Sequence, residues 1–286
     1  MTREPARTAA VFTPAVDQAT AGYRLPLDQL VPAAGRAGFP VLEVPAFALA
    51  HYHSRHGHTG LVRLLARHRL RVGQLSCGTG TPADLTVPPD RWPQTLQAWQ
   101  RSCRLAVAVG CPRLSVFVPR TATAGGSMVA ARLGGLATVA SGHGLRVNAE
   151  IHSPALLEEA VRIWRTVGCA NAGLLVDVAA LALAGFDPVE YIACLPRGAV
   201  GWVHLADLAE PAPEKDRPAR VLPGQGRLPL ADALDALAAG GYTGPVAAEV
   251  PRPEPYTADT AAYLTRAAAA LTSGPLARFF APAGDR

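Results

Sequence analysis

The sequence predicts an α/β protein built as a single closed (β/α)8 barrel, and three observations carry that prediction. Short apolar, β-branched runs alternate with longer Ala/Leu-rich stretches of helical period along the 286 residues, the pattern of βα units around a parallel sheet. Eight such runs can be counted, and about 250 residues is the usual size of an eight-unit barrel. A composition of 49% hydrophobic against 17% charged residues supplies the large core such a barrel encloses. An open doubly wound sheet is the competing arrangement, which the count of eight disfavours.

The strands are expected near Ala10–Pro14, Pro40–Val44, Arg71–Ser76, Arg113–Val118, Leu145–Ile151, Gly173–Val178, Val200–Leu205 and Pro245–Val250. Helices are expected at Pro26–Ala37, Leu61–His68, Trp92–Val109, Met128–Ser141, Pro154–Val167, Pro188–Cys194 and Leu230–Ala239. Several start after Pro or Asp and several end at Gly, as at Gly110, Gly168 and Gly240. No linker divides the chain, so residues 1–286 read as one domain. Its last part, from about Thr257, reads as a further helix and an apolar tail (Leu276, Phe279, Phe280) that would cover the barrel floor or meet a second subunit in a homodimer.

Composition excludes several classes. No apolar run reaches the ~18 residues of a membrane span, and the start of the chain lacks the layout of a secretion signal. The cytoplasm is the expected compartment, with no membrane partner. The net charge of +5 comes from dispersed residues, nearly all arginine, so a nucleic-acid surface is not expected. The one lysine, Lys215, lies in a polar run rather than on a strand, which excludes imine chemistry on a desolvated amine. Cys77, Cys103, Cys111, Cys169 and Cys194 form no CxxC pair and read as reduced, mostly buried thiols.

Active sites of such barrels lie at the C-terminal ends of the strands. Four predicted strands in succession end in Glu150, Asp177, His204 and Glu249, spaced by 27, 27 and 45 residues. That is about one βα unit each, with extra length in the polar loop after the seventh strand. Carboxylates at apolar strand ends are costly unless neutralised, and three around one mouth repel unless a cation lies among them. Three carboxylates and one imidazole suit a single divalent ion, Mn²⁺, Mg²⁺ or Co²⁺ before Zn²⁺. The alternative for any one of these acids is a helix cap or a rim salt bridge. His152, two residues after Glu150, shares its side of the strand and is a candidate proton carrier or a cap of the next helix.

Three further residues are candidate substrate contacts. Arg120 would offer a forked donor to a carboxylate or phosphate, with a rim salt bridge as the equal alternative. Glu43 would meet hydroxyls or balance an arginine. His53 belongs to the run His51, His53, His56 and His58, expected as a solvated loop, with a second metal site or a lid as alternatives. Gly224-Gln225-Gly226 could present backbone N–H groups to an anion.

The segments Ala-Glu-Ile-His, Leu-Val-Asp-Val, Val-His-Leu-Ala-Asp, Pro-Gly-Gln-Gly and Gly-Tyr-Thr-Gly-Pro-Val-Ala-Ala-Glu-Val resemble the xylose isomerase-like TIM barrel superfamily, most strongly from Leu145 to Val250. That group includes sugar and sugar-phosphate isomerases and epimerases, inosose and 3-dehydroshikimate dehydratases, and endonuclease IV. The resemblance implies that the four strand-end residues hold the metal and that Glu150 and Glu249 also move protons. The implied function is a metal-dependent isomerase or epimerase of a small polyhydroxylated keto compound, by proton transfer next to the carbonyl through a stabilised enediolate. The Glu150-x-His152 pair resembles the dehydratase branch, so dehydration of a cyclic β-hydroxyketone is the alternative. A non-catalytic binding barrel is the third.

Departures sharpen this. Ala180, Leu156 and Glu210 stand where the epimerases carry His, Glu and Arg, and Ala206 stands where the dehydratases carry Lys. The histidines of endonuclease IV are missing, which argues against DNA as substrate.

Overall fold

The computed structural model of the chain describes residues 12–22, 24–77, 85–120, 124–210, 219–251 and 259–280. In chain order the elements begin β1 (Thr13–Asp17), α1 (Gln18–Ala21), α2 (Leu27–Arg36), β2 (Val41–Pro45), α3 (Ala46–Arg67), β3 (Arg71–Cys77), α4 (Trp92–Ala108) and β4 (Arg113–Val118). There follow α5 (Gly126–Ser141), β5 (Arg146–Ile151), α6 (Pro154–Glu158), α7 (Ala160–Val167), β6 (Ala172–Asp177), α8 (Val178–Leu183), α9 (Pro188–Ala193) and β7 (Val200–Leu205). The chain continues through β8 (Asp207–Leu208), β9 (Arg220–Val221), α10 (Leu230–Ala239), β10 (Pro245–Ala248) and α11 (Thr260–Thr272).

Eight strands close into a parallel barrel in the order β1-β10-β7-β6-β5-β4-β3-β2, with β8 and β9 as a separate antiparallel pair. Because side chains alternate along each strand, every second residue fills the interior. Ala15, Val41, Leu175, Trp202 and Ala247 form one buried cluster there. Trp202 fits because Gly73 has no side chain: a Cβ at that position would meet the indole Cη2 at 2.9 Å and collide with Val41 Cγ1. The larger core lies between barrel and helices, with Trp99, Leu114, Leu133 and Leu136 fully buried.

The strands begin or end within a few residues of the expected positions, and β4 and β7 match the expectation. The first strand is displaced: Ala10 lies outside the described residues, and the strand runs on to Asp17, whose side chain accepts from Ala19 N–H and starts α1. The helix expected over Pro154–Val167 breaks at Glu159 into α6 and α7, and α8 was not expected.

The largest correction concerns His51–His58. These residues lie inside α3 rather than in a loop, in a 22-residue helical segment that kinks at Gly57 (φ 66°, ψ 177°). The two glycines and the polar sequence hide the helical period, which reappears only at Leu61 and Leu65. Of the run, His51, His56 and His58 are exposed and His53 is half-buried.

The apolar tail folds back onto the barrel. Phe279 and Phe280 pack on Phe12 at the start of β1, with ring centroids 6.4 and 6.2 Å away. Cys77, Cys103 and Cys111 are buried free thiols, Cys169 is half-buried and Cys194 exposed. Burial pushes the Cys77 and Cys111 thiols up to about 12. Lys215 lies outside the described residues. Among the described residues no helix is long and apolar enough to cross a membrane.

Candidate metal centre

Parallel register brings the expected four residues together at the C-terminal mouth. One ligand atom each from Glu150, Asp177, His204 and Glu249 lies within 4.8 Å of all the others. His204 and Asp177 are direct register partners, and Glu249 follows β10 by one residue. Asp177 takes the helix-cap alternative with one oxygen, since Oδ1 accepts from Ala180 N–H (2.9 Å) at the start of α8, and it turns the other, Oδ2, toward the cluster.

The imidazole of His204 gives the clearest sign of what the cluster can hold. Its Nε2 lies 2.8 Å from Glu43 Oε2, whereas Nδ1 is buried and has no hydrogen-bond partner. Around Nδ1 stand Glu150 Oε1 at 3.6 Å and Glu249 Oε2 at 3.5 Å. These separations are long for a hydrogen bond but ordinary for atoms that share one cation at ~2.1 Å. The donor set therefore fits a divalent ion, with His204 held from behind by a carboxylate as metal-bound histidines usually are.

Glu43 is thus corrected as a substrate contact. It is fully buried, with Oε1 accepting from Gln74 Nε2 (2.9 Å) and Oε2 on His204. Gln74 Oε1 in turn accepts from Asn148 Nδ2 at 2.6 Å, extending the polar chain toward the barrel floor. Arg120 is exposed and donates to Leu183 O at 3.1 Å, with no hydrogen bond or ion pair to the four among the described residues. His53, on α3, shares no hydrogen bond or ion pair with the four among the described residues. The Gly224–Gly226 turn meets an anion, but an internal one: Asp207 accepts from Leu208, Gly224, Gly226 and Leu228 N–H at 2.8–3.1 Å.

His152 is close to the cluster and does not cap the next helix. Its Nε2 lies 2.9 Å from Glu150 Oε1 and 3.8 Å from Asp177 Oδ2, and its ring stands edge-on to Phe117 with centroids 4.7 Å apart.

Two residues escaped the sequence reading. Arg220, on β9, donates from Nη1 to Glu249 Oε2 (2.6 Å) and from Nη2 to Asp177 Oδ2 (2.7 Å). Asp17 sits beside Glu43 at the end of β1 and forms a second close group with Glu43 and His204. Arg220 lies in a polar run with no strand-end signature. Asp17 carries one, Ala-Val-Asp, which the misplaced first strand concealed.

Electrostatics divide the carboxylates. Burial raises the proton affinity of Glu150, but His152 and His204 outweigh it and hold the carboxyl below its usual range. Burial also opposes ionisation of Asp177, and Arg220 and His152 overcome it. Glu249 goes the other way: burial, helped by Asp177 and Glu150, pushes it up to about 7 against His204 and Arg220. Burial lowers His204 and His152, yet the surrounding carboxylates leave both raised. Asp17 is raised by burial and by its neighbours Glu43 and Glu249.

A "Putative hydroxypyruvate isomerase" of Streptomyces coelicolor is 34% identical over 99 residues, which span 35% of this chain and 32% of that protein. A xylose isomerase domain protein from Alicyclobacillus acidocaldarius superposes with a TM-score of 0.76 at 24% identity, over 91% of this chain and 96% of that one. The IOLI protein, solved with a zinc atom bound, superposes with a TM-score of 0.81 at 17% identity, over 94% of this chain and all of the other. Both structural likenesses are those of fold. The family described as "Xylose isomerase-like TIM barrel" matches residues 31–267, and the chain belongs to it.

Proposed function

We propose that the chain is a divalent-metal-dependent isomerase or epimerase of a small polyhydroxylated keto compound, sugar or hydroxy keto acid. The observation that carries this reading is the partnerless Nδ1 of His204 among Glu150 and Glu249, with two carboxylates of opposite proton affinity at one mouth. When bound, a divalent ion supplies charge stabilisation to a ketone and its neighbouring hydroxyl. The ligands would be Glu150, Asp177, His204 and Glu249, with Mn²⁺, Mg²⁺ or Co²⁺ the expected ions and Zn²⁺ the alternative.

The protein's own groups then divide the proton work. Glu249, the one of the three ligand carboxylates whose proton affinity is raised in the ion-free protein, takes the role of removing a proton from the carbon beside the carbonyl and returning it. Glu150 is held below its usual range and in turn raises the proton affinity of His152. His152 can hand its proton to a substrate oxygen, and Arg220, whose Nη1 and Nη2 already donate to Glu249 and Asp177, has further N–H groups for a carboxylate or hydroxyl at the mouth. The partial match to a hydroxypyruvate isomerase accords with a small keto acid.

The test is elemental mass spectrometry on wild type and on the Asp177→Ala/His204→Ala double variant, followed by proton exchange. One ion per chain, lost in the variant, is expected. Deuterium from D2O should enter one carbon of a keto sugar or hydroxy keto acid. Absence of any ion after soaking with Mn²⁺ would sink the reading.

The 2.9 Å contact between His152 and Glu150 favours one second reading, loss of a β-hydroxyl from a cyclic ketone with His152 as the acid. Growth of an enone absorbance band would select it over isomerisation.

A further inference from the structure

At the opposite end of the barrel from the metal centre, β4 and β5 each begin with an arginine. Arg113 and Arg146 are direct register partners on neighbouring parallel strands, whose backbones run about 4.8 Å apart. Like charges so placed repel, and among the described residues neither guanidinium is paired with a carboxylate. Arg113 lies 5.8 Å from the Trp202 ring centroid, over its face. The Nε of Arg146 is buried with no hydrogen-bond partner. Both arginines line a cavity of about 300 Å³ at the barrel floor, with Ile192, Leu195 and Leu237 among its apolar walls.

Cations grouped this way, with a buried donor and no internal counter-charge, need an anion with several acceptor oxygens. We propose that this floor cavity binds the phosphate group of a small phosphorylated metabolite. Arg113 and Arg146 grip the phosphate, and the apolar walls hold a few carbon atoms of the ligand. A dianion matches two guanidiniums better than a carboxylate does, and the volume suits a small molecule. The site is separate from the metal centre. Arg146 and Glu150 lie on one face of β5, four residues and roughly 13 Å apart, with Asn148 between them in the chain of side chains that ends at His204.

The experiment is titration of the full chain with inorganic phosphate by calorimetry, with chelator present and ionic strength held by NaCl. One saturable site is expected, unchanged in Arg220→Gln, which removes the guanidinium at the other mouth. Affinity should fall at least tenfold in Arg113→Gln and in Arg146→Gln. It should also fall in Ala236→Phe, which narrows the cavity and leaves its arginines in place. In the wild type, phosphate should protect Arg113 and Arg146 from phenylglyoxal, read by mass spectrometry, so the test does not depend on any variant folding. No saturable site, no such protection, or loss of binding only in Arg220→Gln overturns the proposal. Acetate binding as tightly as phosphate would overturn the assignment to a phosphate group.

Discussion

Glu43 and His204 meet inside the barrel at 2.8 Å, Oε2 to Nε2, although β2 and β7 are not neighbours. The contact fixes the imidazole so that Nδ1 faces Glu150 and Glu249. Such a partner orients a metal-binding histidine and raises its basicity, and its loss typically costs 10–100-fold in metal affinity. Glu43→Gln keeps the shape but removes the charge. Its metal affinity, measured by competition with a chromogenic chelator, should fall by about tenfold. Unchanged affinity would mean that Nδ1 is not a ligand.

Arg220 poses the opposite question, because it holds oxygens of Asp177 and Glu249 that an ion would also use. A half-buried guanidinium on two carboxylates is a tethered competitor for a cation. Arg220→Gln should therefore bind Mn²⁺ more tightly, by roughly tenfold for each 1.4 kcal/mol of competition removed. If Arg220 also meets the substrate, KM should rise in the same variant. Weaker metal binding in Arg220→Gln would make Arg220 a support of the site instead of a competitor.

The difference between Arg220 and the four strand-end residues explains what the sequence could reveal. A lone acid or histidine closing an apolar run stands out because burial of its neighbours makes it costly, and parallel strands turn regular spacing into proximity. Glu150, Asp177, His204 and Glu249 were legible for that reason. Arg220 reaches Asp177 across 43 positions through the small β8–β9 pair, a fold-back that no periodicity announces. Glu43 was visible as a strand-end acid, but its partners, His204 across the barrel and Gln74 on the next strand, follow from the closed interior and not from spacing along the chain. The histidines of α3 read as a loop because Gly57 and Gly60 interrupt a polar helix whose apolar face is sparse.

Proton affinities set a pH dependence for the chelator-treated protein. Glu249 holds its proton to about 7 in the fold against 4.5 when free, so between these values the folded state binds more protons than the unfolded one. Stability must then fall as pH rises, by at most about 3 kcal/mol from this group. His152 and His204, also raised, add stability below their unfolded value that is lost as pH climbs through their folded values. Glu150 and Asp177 are lowered, so their contribution is complete above about pH 5 and fades only in acid. Melting temperature should drop from pH 5.5 to pH 8 in chelator. With saturating Mn²⁺ the slope should reverse, because an ion takes deprotonated ligands. Parallel slopes with and without the ion would contradict the site.

Asp207 holds the segment that returns Arg220 to the mouth. Its carboxylate accepts four backbone N–H groups, from Leu208, Gly224, Gly226 and Leu228, and Asp207 is the register partner of Val221, next to Arg220. The fit is close: a Cβ on Gly226 would strike the Leu208 carbonyl oxygen and meet Asp207 Oδ1 at 2.5 Å. Asp207→Asn replaces one carboxylate oxygen with an amide donor, leaving two of these N–H groups facing N–H. Hydrogen bonds to a charged group are worth about 1.5–3 kcal/mol each, so the variant should lose roughly 2–4 kcal/mol and ~5–10 °C in Tm. With the loop released, Arg220 loses its fixed position. Metal affinity in Asp207→Asn should therefore shift in the same direction as in Arg220→Gln, and the double variant should add nothing further. Additive shifts in the double variant would separate the two residues and leave Asp207 a purely structural role.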